Sequence, residues 1–470
     1  MNVDICVIGG GSGGLSVAAG AAKMGAKTVL LEKHKMGGDC LNYGCVPSKA
    51  LLAAGYAANS VREADRFGIT VADPKSRSED IYDHVRSVIG AIEPHDSVER
   101  FEGLGVKVIQ APGTFLGRQE VEADGVRITA RRIVVSTGST AFVPPIPGLD
   151  QVPYLTNETV FNRDQLPEHL IVIGGGPIGI ELAQAHRHLG CKVTILEKFS
   201  IMSKDDVELV NVVRQQFFRD GLDVRQGVNI IRVEPCGDAV RIVFEKEGDE
   251  ETVDGSHLLV ATGRRPNVAG LGLEKAGIRY SEAGIPVDSR LRTSNKKVFA
   301  IGDVVGGFQF THVADYQAGV VIKNALFHLP AKADLRTVPC VTYTSPELAQ
   351  VGLNEKNAKL AGKDFHVLRW PFHENHRAHT QGSTDGLVKA IVTPKGNILG
   401  CGIVGAHAGE LIQPWVLAMS GKLKISAIAT MIAPYPTLGE VSKRAASSFY
   451  IPYLFSDRTR KIVKFLSNFW

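Results

Sequence analysis

Two cysteines separated by four residues, Cys40 and Cys45, stand in the stretch Gly37-Gly38-Asp39-Cys40-Leu41-Asn42-Tyr43-Gly44-Cys45-Val46-Pro47-Ser48-Lys49. The apolar run that follows, Ala50-Leu51-Leu52-Ala53-Ala54, reads as a helix. Pro47 suits the first turn of that helix, where a missing N–H costs nothing. Cys45 thus sits just ahead of a helix N-terminus, where the dipole and unpaired N–H groups draw a thiol toward its thiolate. Only the thiolate attacks disulfides or binds soft metals, so the position favours redox chemistry. Taken alone, the same pair also suits two buried structural cysteines.

The elements around this stretch are those of nucleotide binding. Val3–Gly9 is a short β-branched run; Gly9-x-Gly11-x-x-Gly14 then opens an alanine-rich helix to Gly25, and Thr28–Glu32 reads as a strand ending on an acid. In this βαβ fingerprint Gly9 makes the tight turn, Gly11 lets a pyrophosphate approach, Gly14 permits close helix–sheet packing and Glu32 accepts from a ribose. Arg62–Ile69 and Ile81–Leu104 read as helices, Val106–Phe115 as strands, and Arg132–Gly138 as a strand ending on small residues. Pro144-Pro145-Ile146-Pro147-Gly148 reads as a connector, with a boundary near Pro147.

A second fingerprint follows. Leu170–Ile173 is a strand, Gly174-x-Gly176-x-x-Gly179 a turn, Ile180–Leu189 a helix, and Lys192–Glu197 a strand again ending on an acid. Glu197 would accept from a free 2′-hydroxyl and repel a 2′-phosphate, which favours NADH over NADPH, although Lys198 beside it works the other way. Leu258–Ala261 and Thr262-Gly263-Arg264-Arg265-Pro266-Asn267 echo Ser136-Thr137-Gly138 of the first unit. Two nucleotide units imply two cofactors, or one cofactor beside one substrate nucleotide, the layout needed to pass a hydride from a nicotinamide to a flavin. Val298–Asp303 returns as a strand that rejoins the first domain.

The totals exclude several classes. The chain has 470 residues, 44% of them hydrophobic and 22% charged, with a net charge of +4. That balance gives no reason to expect a nucleic-acid partner. No apolar run reaches the roughly 18 residues that span a bilayer, and Asp4 stands where the basic region of a signal peptide would be. Seven cysteines without framework spacing argue for a reducing cytoplasm, with Cys6, Cys191, Cys236, Cys340 and Cys401 as structural fillers.

From about Thr337 the character changes. Val341–Tyr343, His366–Trp370, Leu387–Val392 and Ile398–Val404 read as an antiparallel sheet, with helices near Gly409–Ser420 and Ser442–Ser448. Its aromatics suit a dimer interface or an ordinary core. In the tail Asp457–Trp470, Ile462, Val463, Phe465, Leu466, Phe469 and Trp470 alternate with Arg458, Arg460, Lys461 and Lys464. Such a helix can lie on a membrane surface or pack on its own protein or its partner subunit.

With both fingerprints, the cysteine stretch and Gly302-Asp303 in order, the chain resembles, end to end, the flavin-dependent pyridine nucleotide–disulfide oxidoreductases. Dihydrolipoamide dehydrogenase, glutathione reductase and mercuric reductase belong to that group. The resemblance implies an α/β fold with two Rossmann-like dinucleotide-binding domains, for FAD and NAD(P), plus a C-terminal α+β dimerisation domain. Residues 1–147 and 270–336 would form the FAD and central part, 148–269 the NAD(P) domain, and 337–470 the interface. The implied assembly is a homodimer with no metal cofactor, acting on a dithiol or disulfide. Cys45 would be the charge-transfer thiolate against the flavin and Cys40 the interchange thiol, while Lys49 would approach the flavin N5 and pair with Glu181. Gly113, Thr137, Gly138, Ser139 and Asp303 match FAD positions. Gln309, Phe310, Thr311 and His312 match the segment under the flavin ring, and Ile230 and Gly263 match NAD contacts.

The chain departs from the pattern at one place. Disulfide-reducing members carry His-Pro-x-x-x-Glu, a general acid/base that serves the interchange thiol across the dimer; here Tyr435-Pro436 leads to Glu440. A phenol of pKa ~10 is a poorer base near neutrality than an imidazole near ~6.5. Mercuric reductases also carry tyrosine there, yet they add a C-terminal cysteine pair, and no cysteine follows Cys401 here. The leading expectation is an NADH-dependent, FAD-containing dithiol/disulfide oxidoreductase like dihydrolipoamide dehydrogenase. A soft-metal-ion or quinone reductase is the alternative, and a FAD-binding protein with vestigial catalysis is a third reading from another class.

Overall fold

The computed structural model describes residues 1–469, and Trp470 of the tail lies outside the described residues. Two compact units emerge. One comprises 1–59, 73–198 and 227–334; the other comprises 60–72, 199–226 and 335–470.

In the first unit, parallel strands Val106–Ile109, Thr28–Leu31, Asn2–Ile8, Val126–Val135 and Val298–Ala300 form one sheet. Thr28–Leu31 and Val298–Ala300 are buried along their whole length, as are the C-terminal ends of Asn2–Ile8 and Val126–Val135, which explains the apolar runs there. Val298–Ala300 pairs with Val126–Val135, so the chain does return to its first sheet. The helix Ser12–Lys23 lies against Thr311–Ala325, and its small residues permit the approach: a Cβ on Gly13 would lie 3.2 Å from that of Ala314. Three further parallel strands, Lys192–Glu197, His169–Ile173 and His257–Val260, carry the helix Pro177–His188. An antiparallel sheet, Asn229–Cys236, Ala239–Lys246 and Asp249–Gly255, has no counterpart among the expected elements.

Two expected helices differ. Ile81–Leu104 is broken into Ser78–Ile92 and Val98–Gly103 because Pro94 cannot continue the ladder, and Ser97 caps the second piece by accepting from Arg100 N at 3.2 Å. The Arg62–Ile69 helix is instead the end of Cys45–Arg62 followed by a short turn, Ala64–Phe67, that stops at Gly68 with φ +76°.

The second unit holds a five-stranded antiparallel sheet in the order Pro339–Thr342, Glu347–Gly352, Ile398–Gly405, Leu387–Val392, His366–Pro371. Glu347–Gly352 was absent from the expected set. Trp415 is fully buried beneath this sheet and donates from Nε1 to Ser442 at 3.0 Å. Among the described residues no helix is long and apolar enough to cross a membrane.

Candidate active site

The redox stretch folds as a short helix, Gly38–Asn42, that delivers Cys40, followed by the long helix Cys45–Arg62 whose first residue is Cys45. The two thiols lie within hydrogen-bonding reach of each other. The hydrogen bond from Cys40, then those from Thr311 and the nearby Lys49 charge, outweigh burial and bring Cys45 down to about 6. The same hydrogen bond, together with burial, pushes Cys40 far up, so the one proton left at neutral pH resides on Cys40. Thr311, first in the helix Thr311–Ala325, sets its hydroxyl 3.5 Å from Cys45 Sγ. We expect Cys45 alkylation in the reduced protein to fall off below a midpoint near 6. In Cys40→Ala that midpoint should move upward, because the largest stabiliser of the thiolate is gone; an unmoved midpoint would remove this account.

One turn beyond Cys45, Lys49 Nζ donates to Glu181 Oε2 at 2.8 Å. Glu181 is only 5% exposed and comes from the helix that opens the second fingerprint. The pair joins the two nucleotide units and fixes a cation near the thiolate.

The two fingerprints repeat one geometry. Gly9 has φ +110° and Gly174 φ +113°, and a Cβ at either would strike a carbonyl of the neighbouring crossover, Ser136 or Ala261. A Cβ on Gly14 or Gly179 would run into the carbonyl of Gly9 or Gly174, whereas around Gly11 and Gly176 there is room. Glu32 Oε2 accepts from Gly10 N and Glu197 Oε2 from Gly175 N, both at 2.6 Å. Each carboxylate keeps lone pairs for a ribose. Open backbone at the helix start with an acid beside it is a cradle that fits a dinucleotide, and the chain has two of them.

The remaining positions fall into three groups. Ser139 donates to Asp303 Oδ2 at 2.6 Å, and burial raises the Asp303 carboxyl. Thr137 donates to the Asn267 carbonyl at 2.7 Å, and the Gly138 carbonyl accepts from Asn267 N. Gln309 lines a cleft of about 380 Å³ with Arg264 and Arg265, while Phe310 and His312 stack at 5.2 Å. Ile230 is half-buried in the antiparallel sheet and Gly263 takes φ +127° in open surroundings. Gly113 has a packing reason of its own, since a Cβ there would lie 2.6 Å from Leu31.

Three residues of the first unit belong to the site without having been expected. Arg264 bonds Asp39 Oδ1 at 3.0 Å and the Ser139 hydroxyl at 2.7 Å, tying the cysteine loop to the Ser139–Asp303 pair. Asn157 donates to Asp39 Oδ1 at 3.1 Å. The signal was legible: Asp39 abuts Cys40, and Arg264 follows the small residues at the crossover.

In the second unit Tyr435 is 69% exposed and its hydroxyl lies 3.0 Å from His376 Nδ1, with the rings edge to face. Glu440 accepts instead from Arg444 at 2.9 Å. The tyrosine therefore has an imidazole partner where a family histidine would have the glutamate. Nothing in the sequence around His376 links it to Tyr435.

Fold and site define a two-nucleotide flavoprotein with a dithiol pair. Residues 3–318 match the pyridine nucleotide-disulphide oxidoreductase family model, and 338–446 match the dimerisation domain of that family. The mercuric reductase of Staphylococcus aureus is 33% identical over 95% of this chain and 82% of its own length. The dihydrolipoyl dehydrogenase of Chlamydia muridarum is 35% identical over 94% of this chain and 96% of its own. Among solved structures, LpdA from Mycobacterium tuberculosis superposes with TM-score 0.87 at 27% identity, over 95% of this chain and 99% of its own. The copper(II) complex of the HOCl-induced flavoprotein disulfide reductase RclA from Escherichia coli gives TM-score 0.85 at 27% identity, over 94% of this chain and 99% of its own. The chain belongs to the class I pyridine nucleotide–disulfide oxidoreductases: it is a flavin-dependent oxidoreductase that uses FAD and a nicotinamide cofactor, and its dimerisation domain supports a homodimer.

Proposed function

We propose that this enzyme exchanges electrons between NADH and a small or carrier-bound dithiol/disulfide through Cys40 and Cys45, as a dihydrolipoamide dehydrogenase does. The observation that carries this reading is the placement of the pair: Cys40 on a short helix beside Cys45, which opens the next helix, with the Thr311 hydroxyl 3.5 Å from Cys45 Sγ and the Lys49 ammonium, held by Glu181 at 2.8 Å, one turn away. Bound FAD would supply the two-electron relay between nicotinamide and sulfur. Gly9, Gly11, Gly14, Glu32, Ser139 and Asp303 would hold it, with Lys49, fixed by Glu181, beside its ring.

In the reducing direction, Cys40 gives up its proton and its sulfur bonds one substrate sulfur as the substrate S–S bond breaks. The departing thiolate takes a proton, for which the Tyr435–His376 pair is the proposed donor. Cys45 thiolate then attacks Cys40 Sγ, closes the Cys40–Cys45 disulfide and releases the second substrate thiolate, which is protonated in turn. The substrate gains two electrons and the pair loses two.

Glu197 favours NADH, because its carboxylate opposes a 2′-phosphate. Glu197→Ala should narrow the KM gap between NADPH and NADH, and an unchanged gap would place the selectivity elsewhere.

A second reading, reduction of a soft metal ion or a quinone, rests on Tyr435 itself. A phenol matches disulfide proton transfer less well than an imidazole, and mercury or copper needs thiolates rather than a proton shuttle. Steady-state NADH oxidation with lipoamide, copper(II) and a quinone separates the two readings. Lipoamide should give the highest kcat/KM, and Tyr435→Phe should lower it about 10²-fold. His376→Ala, which removes the hydroxyl's imidazole partner, should lower it as well. A better metal or quinone acceptor, with lipoamide turnover indifferent to Tyr435→Phe, would favour the second reading.

A further inference from the structure

Beyond the interface sheet the chain ends in two exposed helices, Ile451–Leu454 and Asp457–Leu466, neither of which has a buried residue. Ser456 caps the second by accepting from Thr459 N at 3.2 Å, so its start is a defined helix start. At helical spacing, Ile462, Val463, Phe465, Leu466 and Phe469 share one face, and Phe465 and Phe469 are 63% and 75% exposed. The opposite face carries Arg460, Lys461 and Lys464, while Arg458, four residues before Ile462 and seven before Phe465, begins the apolar side; Asp457 is the single carboxylate of the helix. Phe455 and Leu454, also exposed, continue the apolar surface upstream. Packing on its own chain, one of the three fates expected for this segment, is thus not what the described residues do.

We infer that this helix docks the enzyme on an anionic phospholipid surface, lying in the plane of the interface with its apolar face among the acyl chains. Charge complementarity selects that occupant. Four cations against one carboxylate suit a negatively charged headgroup layer, whereas a second copy of the helix would set two net-positive rims side by side. The length of the docking helix rules out spanning, which takes roughly 20 residues. None of these residues belongs to the cysteine pair, the two fingerprints or the Tyr435–His376 pair.

The test uses the full-length flavin-loaded protein and sedimentation with phosphatidylglycerol-containing or pure phosphatidylcholine vesicles. The protein should partition onto the anionic vesicles about tenfold more strongly, and high salt should release it. Lys461→Glu/Lys464→Glu and Phe465→Glu/Leu466→Glu should each lose about tenfold in partitioning while keeping bound flavin and lipoamide turnover. Equal partitioning onto both vesicle types, or unchanged partitioning of both variants, overturns the inference. So does a Phe465→Glu/Leu466→Glu protein that light scattering shows dissociated into monomers, because the face would then be a contact between copies.

Discussion

Cys40→Ser should lower disulfide turnover by on the order of 10⁴-fold or more, while NADH still bleaches the bound flavin at close to the normal rate. The split follows from the unequal roles of the two sulfurs. Cys45 is the stabilised thiolate, beside Thr311 and within the field of Lys49, and Cys40 is the one that keeps a proton. Serine at 40 preserves a hydroxyl donor to Cys45 but cannot form the mixed disulfide. The variant should therefore retain a depressed Cys45 while losing exchange. Cys45→Ser should behave differently, since exchange could begin at Cys40 but the mixed disulfide would have no internal thiolate to resolve it. Retained lipoamide turnover in Cys40→Ser would remove the dithiol mechanism.

Lys389→Met should destabilise the second unit by about 3–5 kcal/mol, the usual consequence of leaving a buried carboxylate, here Asp206, without its cation. The Lys389 side chain is 5% exposed and its ammonium lies 2.9 Å from Asp206, 2.9 Å from Glu208 and 3.0 Å from Glu355. Arg369 also reaches Glu208, and that guanidinium is the first cause of Glu208's depressed carboxyl. The cluster fastens the 199–226 segment to the C-terminal sheet within one unit. Adding Asp206→Asn should recover part of the loss, because it removes one stranded charge while keeping the side-chain cap on Glu208 N. Thermal unfolding of the two variants checks this; a melting temperature unmoved by Lys389→Met would mean that the cluster is solvated.

The parts of the molecule governed by local rules were readable from the chain. Both fingerprints, the cysteine helix and the strands Lys192–Glu197 and Leu387–Val392 follow from glycine sterics and apolar runs, and the structure has them at those positions. The Lys49–Glu181 pair came only through the family resemblance, since 132 residues separate its members. The elements that were missed depend on pairing. Asp249–Gly255 is rich in acids and becomes a strand because Ala239–Lys246 lies beside it. Arg264–Asp39 and Tyr435–His376 are likewise contacts between distant segments, which no periodicity encodes. Glu440 illustrates the converse: its register with the family motif is kept, but Arg444 one turn along its own helix takes its carboxylate.

The most direct test of dithiol exchange at Cys40 and Cys45 is anaerobic reduction of NAD⁺ by dihydrolipoamide, using the purified flavin-loaded enzyme. The wild type should form one NADH for each dithiol oxidised, and Tyr435→His beside it should turn over at least as fast, since an imidazole is the better matched base. Negligible NADH formation by both proteins, from an enzyme whose flavin NADH readily bleaches, would contradict the account and leave a metal ion or quinone as the partner of the cysteine pair.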